Sequence, residues 1–258
     1  MAERIENLLH TRTDLSPYLI HFTRDTDSPA RANLLSILDD WTIDAKTDFG
    51  MAKALVNEFD AEKSDALDGA GLSQKVVCFT ETPLEHCSMM VREIVGRACR
   101  FTSYGIMFTK TVAKQRDCNP VWYLNMDVGN PSWLTNDVNA MVEDCINHVR
   151  QGGEVDPAKM GRYRMLRLFP FMEQTLGVNK DFSWEREWRC RRNFVFHPKD
   201  TAAVFAPEDE HGDLKREIRD LATAWKARDV PILDPTWSLE RMMSILDAEG
   251  KPISDAGK

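Results

Sequence analysis

Five short, apolar, β-prone runs lie far apart along the chain, and they limit its fold more than any other feature. They are Tyr18-Leu19-Ile20-His21-Phe22-Thr23, Lys75-Val76-Val77-Cys78-Phe79-Thr80, Phe101–Thr109, Asn119–Leu124 and the stretch from Glu185 to Phe196. Each is rich in branched and aromatic side chains, which suit a pleated, half-buried surface. Helical patterns fall around them. Residues 3–10 place Ile5, Leu8 and Leu9 on one side, and Asp27-Ser28-Pro29 reads as a helix start with serine as cap and proline in the first position. A helix is predicted from near Pro83 to about Val95, with Met89, Met90, Ile94 and Val95 as its core face. Others are predicted at about 135–150, at about 212–226, and at 239–248 behind a Ser238 cap, with a last strand at 230–233. Gly105, inside the third run, predicts a bulge or a close approach of backbone. Without a βαβ rhythm or a GxGxxG, the fold class is α+β, with short strands in a core surrounded by helices.

Composition narrows the function classes. The chain has 258 residues, 43% of them hydrophobic, which suits one sizeable domain over 1–258. Residues 44–73 are polar and read as an insertion, either a mobile lid or a solvated loop, and 212–258 read as a C-terminal extension. A net charge of −8 argues against a protein that coats nucleic acid non-specifically and still allows a local basic cleft. The six cysteines form no CxxC and have no histidine at ligand spacing, so reduced thiols and no metal site are expected. The N-terminus has no apolar signal core and no run is long enough to span a membrane, so a cytoplasmic location is expected.

The segment with the densest chemistry is Trp184-Glu185-Arg186-Glu187-Trp188-Arg189. On a strand, period two sets Glu185 and Glu187 on one face and Arg186 and Trp188 on the other. Two such carboxylates repel, so the pair belongs in solvent beside arginines or in a working cleft. Polar groups also mark His21-Phe22-Thr23, Phe79-Thr80-Glu81-Thr82-Pro83 and Ser103-Tyr104-Gly105. A carboxylate beside an aromatic ring and a histidine suits a ribose and an oxocarbenium-like centre. Arg186, Arg189, Arg191 and Arg192 suit a phosphate or pyrophosphate.

The blocks Tyr18–Thr23, Val77–Leu84, Tyr104–Lys110, Pro120–Leu124 and Trp184–Arg189 resemble the AbiGi-type abortive-infection family of phage-defence systems. More distantly the pattern is similar to ADP-ribosyltransferases. That resemblance implies an ADP-ribosyltransferase-like split sheet and an NAD-dependent mono-ADP-ribosyltransferase toxin that modifies nucleic acid, RNA in preference to DNA. Under it Glu187 is the catalytic carboxylate and Glu185 the acceptor-side one. His21, Phe22, Thr23, Phe79, Thr80 and Tyr104 contact NAD, no metal is needed, and Arg162, Arg164, Arg167, Arg191 and Arg192 form a nucleic-acid rim. A protein antitoxin is the implied partner. The alternatives are a non-catalytic, antitoxin-like partner-binding module, an NAD glycohydrolase, or an RNA phosphotransferase.

Overall fold

A computed structural model describes residues 14–48, 73–95, 97, 99–125, 133–150, 166–175 and 181–249. The helix expected at 3–10 and residues 49–72 of the polar insertion lie outside them. In chain order the elements are β1 (Tyr18–Phe22), α1 (Ala30–Asp40), β2 (Thr42–Ile43), β3 (Thr47–Asp48), β4 (Lys75–Thr80), α2 (Cys87–Met90), β5 (Gly105–Thr109) and α3 (Lys110–Lys114). Then come β6 (Asn119–Pro120), β7 (Trp122–Asn125), α4 (Trp133–Arg150), β8 (Met172–Thr175), β9 (Glu187–Cys190) and β10 (Phe194–Val195). The chain continues through β11 (Thr201–Phe205), α5 (His211–Leu221), α6 (Thr223–Arg228), β12 (Ile232–Leu233) and α7 (Leu239–Glu249). The class is α+β, with mostly antiparallel strands. The chain divides into two compact units: Met1–Thr42, Phe79–Arg116 and Val195–Lys258 make the first, and Ile43–Cys78 and Asp117–Phe194 the second.

The first unit is built on the strand order β12-β11-β5-β1 and the end of β4. β1 and β5 pair antiparallel from Tyr18 opposite Thr109 to Phe22 opposite Gly105. Strand alternation then sorts the side chains onto two faces. Ile20, Phe22, Met107, Ala203, Phe205 and Leu233 share one core cluster with Leu84, Cys87, Met90, Met242 and Leu246. On the other face Phe108 meets Phe79 and Phe196, and Phe196 meets Trp225. Both faces are covered, so β5 reads as a continuous apolar run. The Trp225 indole N–H donates to the Leu38 carbonyl at 2.8 Å, which ties α6 to α1 and satisfies its buried donor.

Several local expectations are redrawn by tertiary contacts. Ser28 does not cap α1; Asp25 Oδ1 accepts the Ala30 N–H at 2.8 Å, so an upstream carboxylate does this work. The helix expected to reach Val95 stops at Met90, whose carbonyl accepts from the Arg97 guanidinium at 2.7 Å, and Val95 is 99% exposed. The helix read at 212–226 is two helices, separated by the extended Ala222. β11 carries no strand signal in the sequence: two of its five residues are alanines with little strand preference, and it forms because it is buried between β5 and β12. The C-terminal region is core: Leu214, Ile218, Trp225, Leu233 and Met242 are buried. Ser238 does cap α7, accepting from the Arg241 N–H.

The second unit is held by small strand pairings. β3 pairs with the start of β4, β6 with β9, and β7 with β8 in parallel. Within β6 and β9, Asn119 faces Arg189 and Pro120 faces Trp188, and the Val121 N–H donates to the Glu187 carbonyl at 2.9 Å. Hydrogen bonding at 121:187 makes 120:188 a non-hydrogen-bonded position, where proline loses nothing by lacking an N–H. Helix α4 buries Val138 and Val142, four residues apart on one face.

The close approach predicted at Gly105 is real. A Cβ there would lie 2.8 Å from the His21 carbonyl oxygen, and the β1–β5 register runs through it without a bulge. Gly105→Ala is expected to destabilise the chain by about 1–3 kcal/mol by forcing these strands apart. Chemical denaturation measures this, and an unchanged midpoint would mean the ladder has room to shift.

Candidate functional site

The Glu185–Glu187 segment is not one strand. Ser183–Glu185 form a 3-10 turn, with the Glu185 N–H donating to the Phe182 carbonyl at 3.0 Å. Arg186 follows with φ 48°, in the left-handed region, and the strand begins only at Glu187. A left-handed non-glycine residue costs about 1–2 kcal/mol and breaks the period-two count, so the two carboxylates do not share a strand face as alternation predicted.

Arg189 is the centre of the second unit. Its side chain is 1% exposed, a burial that a guanidinium tolerates only with acceptors around it. Nε and Nη2 donate to the two Glu187 oxygens, each at 2.8 Å, in a forked pair. Nη2 also donates to Glu173 on β8 at 2.7 Å, and Nη1 to the Pro170 carbonyl at 2.8 Å. Burial opposes the Arg189 charge, but the Glu187 carboxylate beside it prevails and holds its pKa above the ordinary arginine value. The Glu187 backbone N–H donates to the Tyr123 hydroxyl at 3.3 Å. Burial, and next the Glu187 charge, hold the Tyr123 phenol above its usual pKa. Both Glu187 oxygens are therefore bound to a cation within its own unit.

The residues expected to contact NAD lie in the first unit. His21 packs edge-on to Phe79 with ring centres 5.8 Å apart. Phe22 is buried against Phe101 and Phe205. Thr23 Oγ1 donates to the Ala30 carbonyl at 3.0 Å, and its N–H donates to the Tyr104 carbonyl at 2.8 Å. Thr80 and Thr82 share a hydroxyl hydrogen bond of 2.7 Å, and Thr82 N–H also donates to Thr80 Oγ1. The Tyr104 hydroxyl donates to Glu210 at 2.5 Å, and Glu210 also accepts from Arg31 at 2.8 Å, while Arg31 pairs with Glu217. The sequence reading missed Arg31, Glu210, Glu217, Glu173 and Tyr123. Their partners are remote in sequence, and no local motif marks them.

Arg162 and Arg164 lie outside the described residues. Arg167 and Arg192 are exposed and Arg191 is half-buried. Burial, then the charges of Arg167 and Arg192, push Arg191 below its ordinary pKa, while Asp117 opposes this. The second unit also exposes three indoles: Trp122 is 49%, Trp133 74% and Trp184 37% exposed. Trp122 follows the Val121–Glu187 hydrogen bond and Trp184 precedes Glu187 by three residues, so both sit at one end of the β6–β9 pairing. Among the described residues no group of three or more His, Cys, Asp or Glu is placed to hold a metal ion, and no helix is long and apolar enough to cross a membrane.

Arg189→Met removes the guanidinium bound to both Glu187 and Glu173 and leaves two partly buried carboxylates close together. A loss of about 3–5 kcal/mol is expected in chemical denaturation, largely recovered when Glu173→Gln and Glu187→Gln are added. A loss below about 1 kcal/mol would show that water solvates the pair.

The chain matches none of the curated proteins and none of the solved structures with which it was compared, so no structural neighbour supports an ADP-ribosyltransferase-like fold. One family's sequence model matches residues 51–233, well over half of the chain, under the description "Putative abortive phage resistance protein AbiGi, antitoxin". The match begins after β1 and reaches through β12, so it leaves out His21 and takes in the C-terminal core helices α5 and α6. The description corrects two expectations: the toxin role, and NAD-dependent ADP-ribosyl transfer as the enzymatic activity, are overturned by a family described as antitoxin. By that match, the chain belongs to the AbiGi family of abortive phage resistance proteins.

Proposed function

We propose that the chain is a non-catalytic antitoxin that acts by binding a protein toxin. The observation that carries this reading is the set of exposed indoles on the second unit, Trp122, Trp133 and Trp184. Tryptophan is costly to leave in water, and it is the side chain most enriched where partner binding energy concentrates. Trp122 and Trp184, at one end of the β6–β9 pairing, supply two such anchors close in the ladder, with Arg186 between Trp184 and Glu187. The commitment of both Glu187 oxygens to Arg189 supports the same reading, because a carboxylate already bound by a buried guanidinium is poorly placed to take up a ribose hydroxyl. A net charge of −8 favours a partner whose contact face is positive, and such complementarity speeds association.

The test is capture of the chain's partner from the producing cell, followed by co-expression of the two proteins. The captured protein alone should arrest growth, and the chain should relieve the arrest and co-elute with it. Trp122→Ala and Trp184→Ala are each expected to weaken the complex about tenfold or more with an unchanged unfolding midpoint. Full affinity in the double variant would move the interface elsewhere. Continued arrest in the presence of a stable complex would rule out the antitoxin reading.

A further inference from the structure

The register that aligns β6 with β9 also sets two cysteines face to face. Asn119 is opposite Arg189 and Pro120 opposite Trp188, so one step outward places Cys118 opposite Cys190. The Val121 N–H donates to the Glu187 carbonyl, which makes 121:187 and 119:189 the hydrogen-bonded pairs and 118:190 a non-hydrogen-bonded one. Cα atoms at such positions are about 4.5 Å apart and their side chains approach most closely, inside the range of about 4.4–6.8 Å that a disulfide spans. Both side chains are buried, and neither carries a disulfide.

We infer that Cys118 and Cys190 form a redox-sensitive dithiol that closes to a disulfide under peroxide and fastens β6 to β9. The two roles are distinguishable. The Cys190 thiol is pushed down to about 7, first by the hydrogen bond from Cys118, then by the Arg192 backbone N–H and charge, against the opposing effects of burial and Asp117. Cys190 is therefore the sulfur that attacks, and Cys118 the one that resolves. Cys190 thiolate takes one oxygen of a hydroperoxide; the O–O bond breaks, the sulfur is oxidised to sulfenic acid, and the departing oxygen leaves, protonated, as water or alcohol. Cys118 then attacks that sulfenic sulfur, the S–O bond breaks, and water leaves carrying the Cys118 proton. In sum two thiols and one peroxide give one disulfide and two molecules of water or its alcohol equivalent.

Access is provided by the edge. β6 is two residues long, both are exposed, and the strand order ends on it, so opening it breaks few hydrogen bonds. In a reducing compartment such a pair belongs to the transient, sensing class and not to permanent staples. Once closed, the bond holds Val121 and Trp122, the residues immediately beyond β6, against the start of β9. That last consequence for partner binding rests on the antitoxin reading; the cross-link itself does not.

The test uses the full chain, reduced and then titrated with hydrogen peroxide. Remaining thiols are alkylated under denaturing conditions, and intact mass and peptide maps are recorded. A mass loss of about 2 Da, two of the six thiols withdrawn from alkylation, and a Cys118–Cys190 cross-linked peptide reversed by a thiol reductant are expected. Cys118→Ser should stop at sulfenic acid on Cys190, trapped by a dimedone-type reagent, and Cys190→Ser should take up no oxygen at Cys118. If either serine variant misfolds, the parent peptide map alone decides. Six thiols still alkylated, a cross-link between other cysteines, or over-oxidation of Cys190 with Cys118 untouched would each overturn the proposal. A cross-link that forms without changing partner affinity would leave the dithiol standing and remove only its link to binding.

Discussion

A guanidinium withdrawn from water keeps its charge only where acceptors surround it, and Arg189 meets that requirement with three acceptor groups. Glu187 comes from its own strand, Glu173 from β8, and the Pro170 carbonyl from the turn before β8. Removing that cation would leave two partly buried carboxylates without a counter-charge. The strand start at Glu187, the left-handed Arg186 and the placement of β8 are therefore linked, since each must hold its position for the fork to close. The interaction is costly to assemble and costly to break, which favours one arrangement of the second unit over competing ones.

The first unit is organised by a different principle. Its sheet is apolar on both faces, with aromatic edge-to-face contacts from Phe79 through Phe108 and Phe196 to Trp225 on one side and the Ile20–Phe205 cluster on the other. Several polar groups that enter it find a bond there, as with Trp225 on the Leu38 carbonyl and Lys110 on Glu81 at 2.6 Å. The hydroxyls and rings that suggested a nucleotide pocket have such roles here: Thr23 fastens the entry to α1, and Tyr104 joins the Arg31–Glu210–Glu217 group.

These arrangements bear on function through what they leave at the surface. The buried Arg189 charge of the second unit is balanced by Glu187 and Glu173, whereas Trp122, Trp133 and Trp184 stay in contact with solvent. Under the antitoxin reading, those exposed indoles are the side chains the second unit offers to a partner. Membership in a family described as antitoxin agrees with that balance. The Cys118–Cys190 pair adds a chemical handle at the ladder that precedes one of those indoles.

How much of this was legible in the sequence varies with the range of the interaction responsible. The apolar runs at 18–22, 75–80 and 105–109 became strands because branched and aromatic side chains at period two need burial, and a glycine inside such a run, Gly105, points to a bulge or a close backbone approach, of which the structure shows the second. The AbiGi resemblance was likewise carried by local blocks. Hidden from the sequence were β11, whose alanines carry no strand signal; the stop of α2, imposed by Arg97; and the fate of Glu187, decided by Arg189 and Glu173. Arg189 itself stood two residues from Glu187, but alternation along a strand says only that they share a face. It does not say whether that face opens to a ligand or closes on a cation. The chain's own residues determined the strands at 18–22, 75–80 and 105–109 and the family the chain belongs to. Only the tertiary structure decided which charges would be buried together, because desolvation depends on what packs around a group and not on its neighbours in sequence.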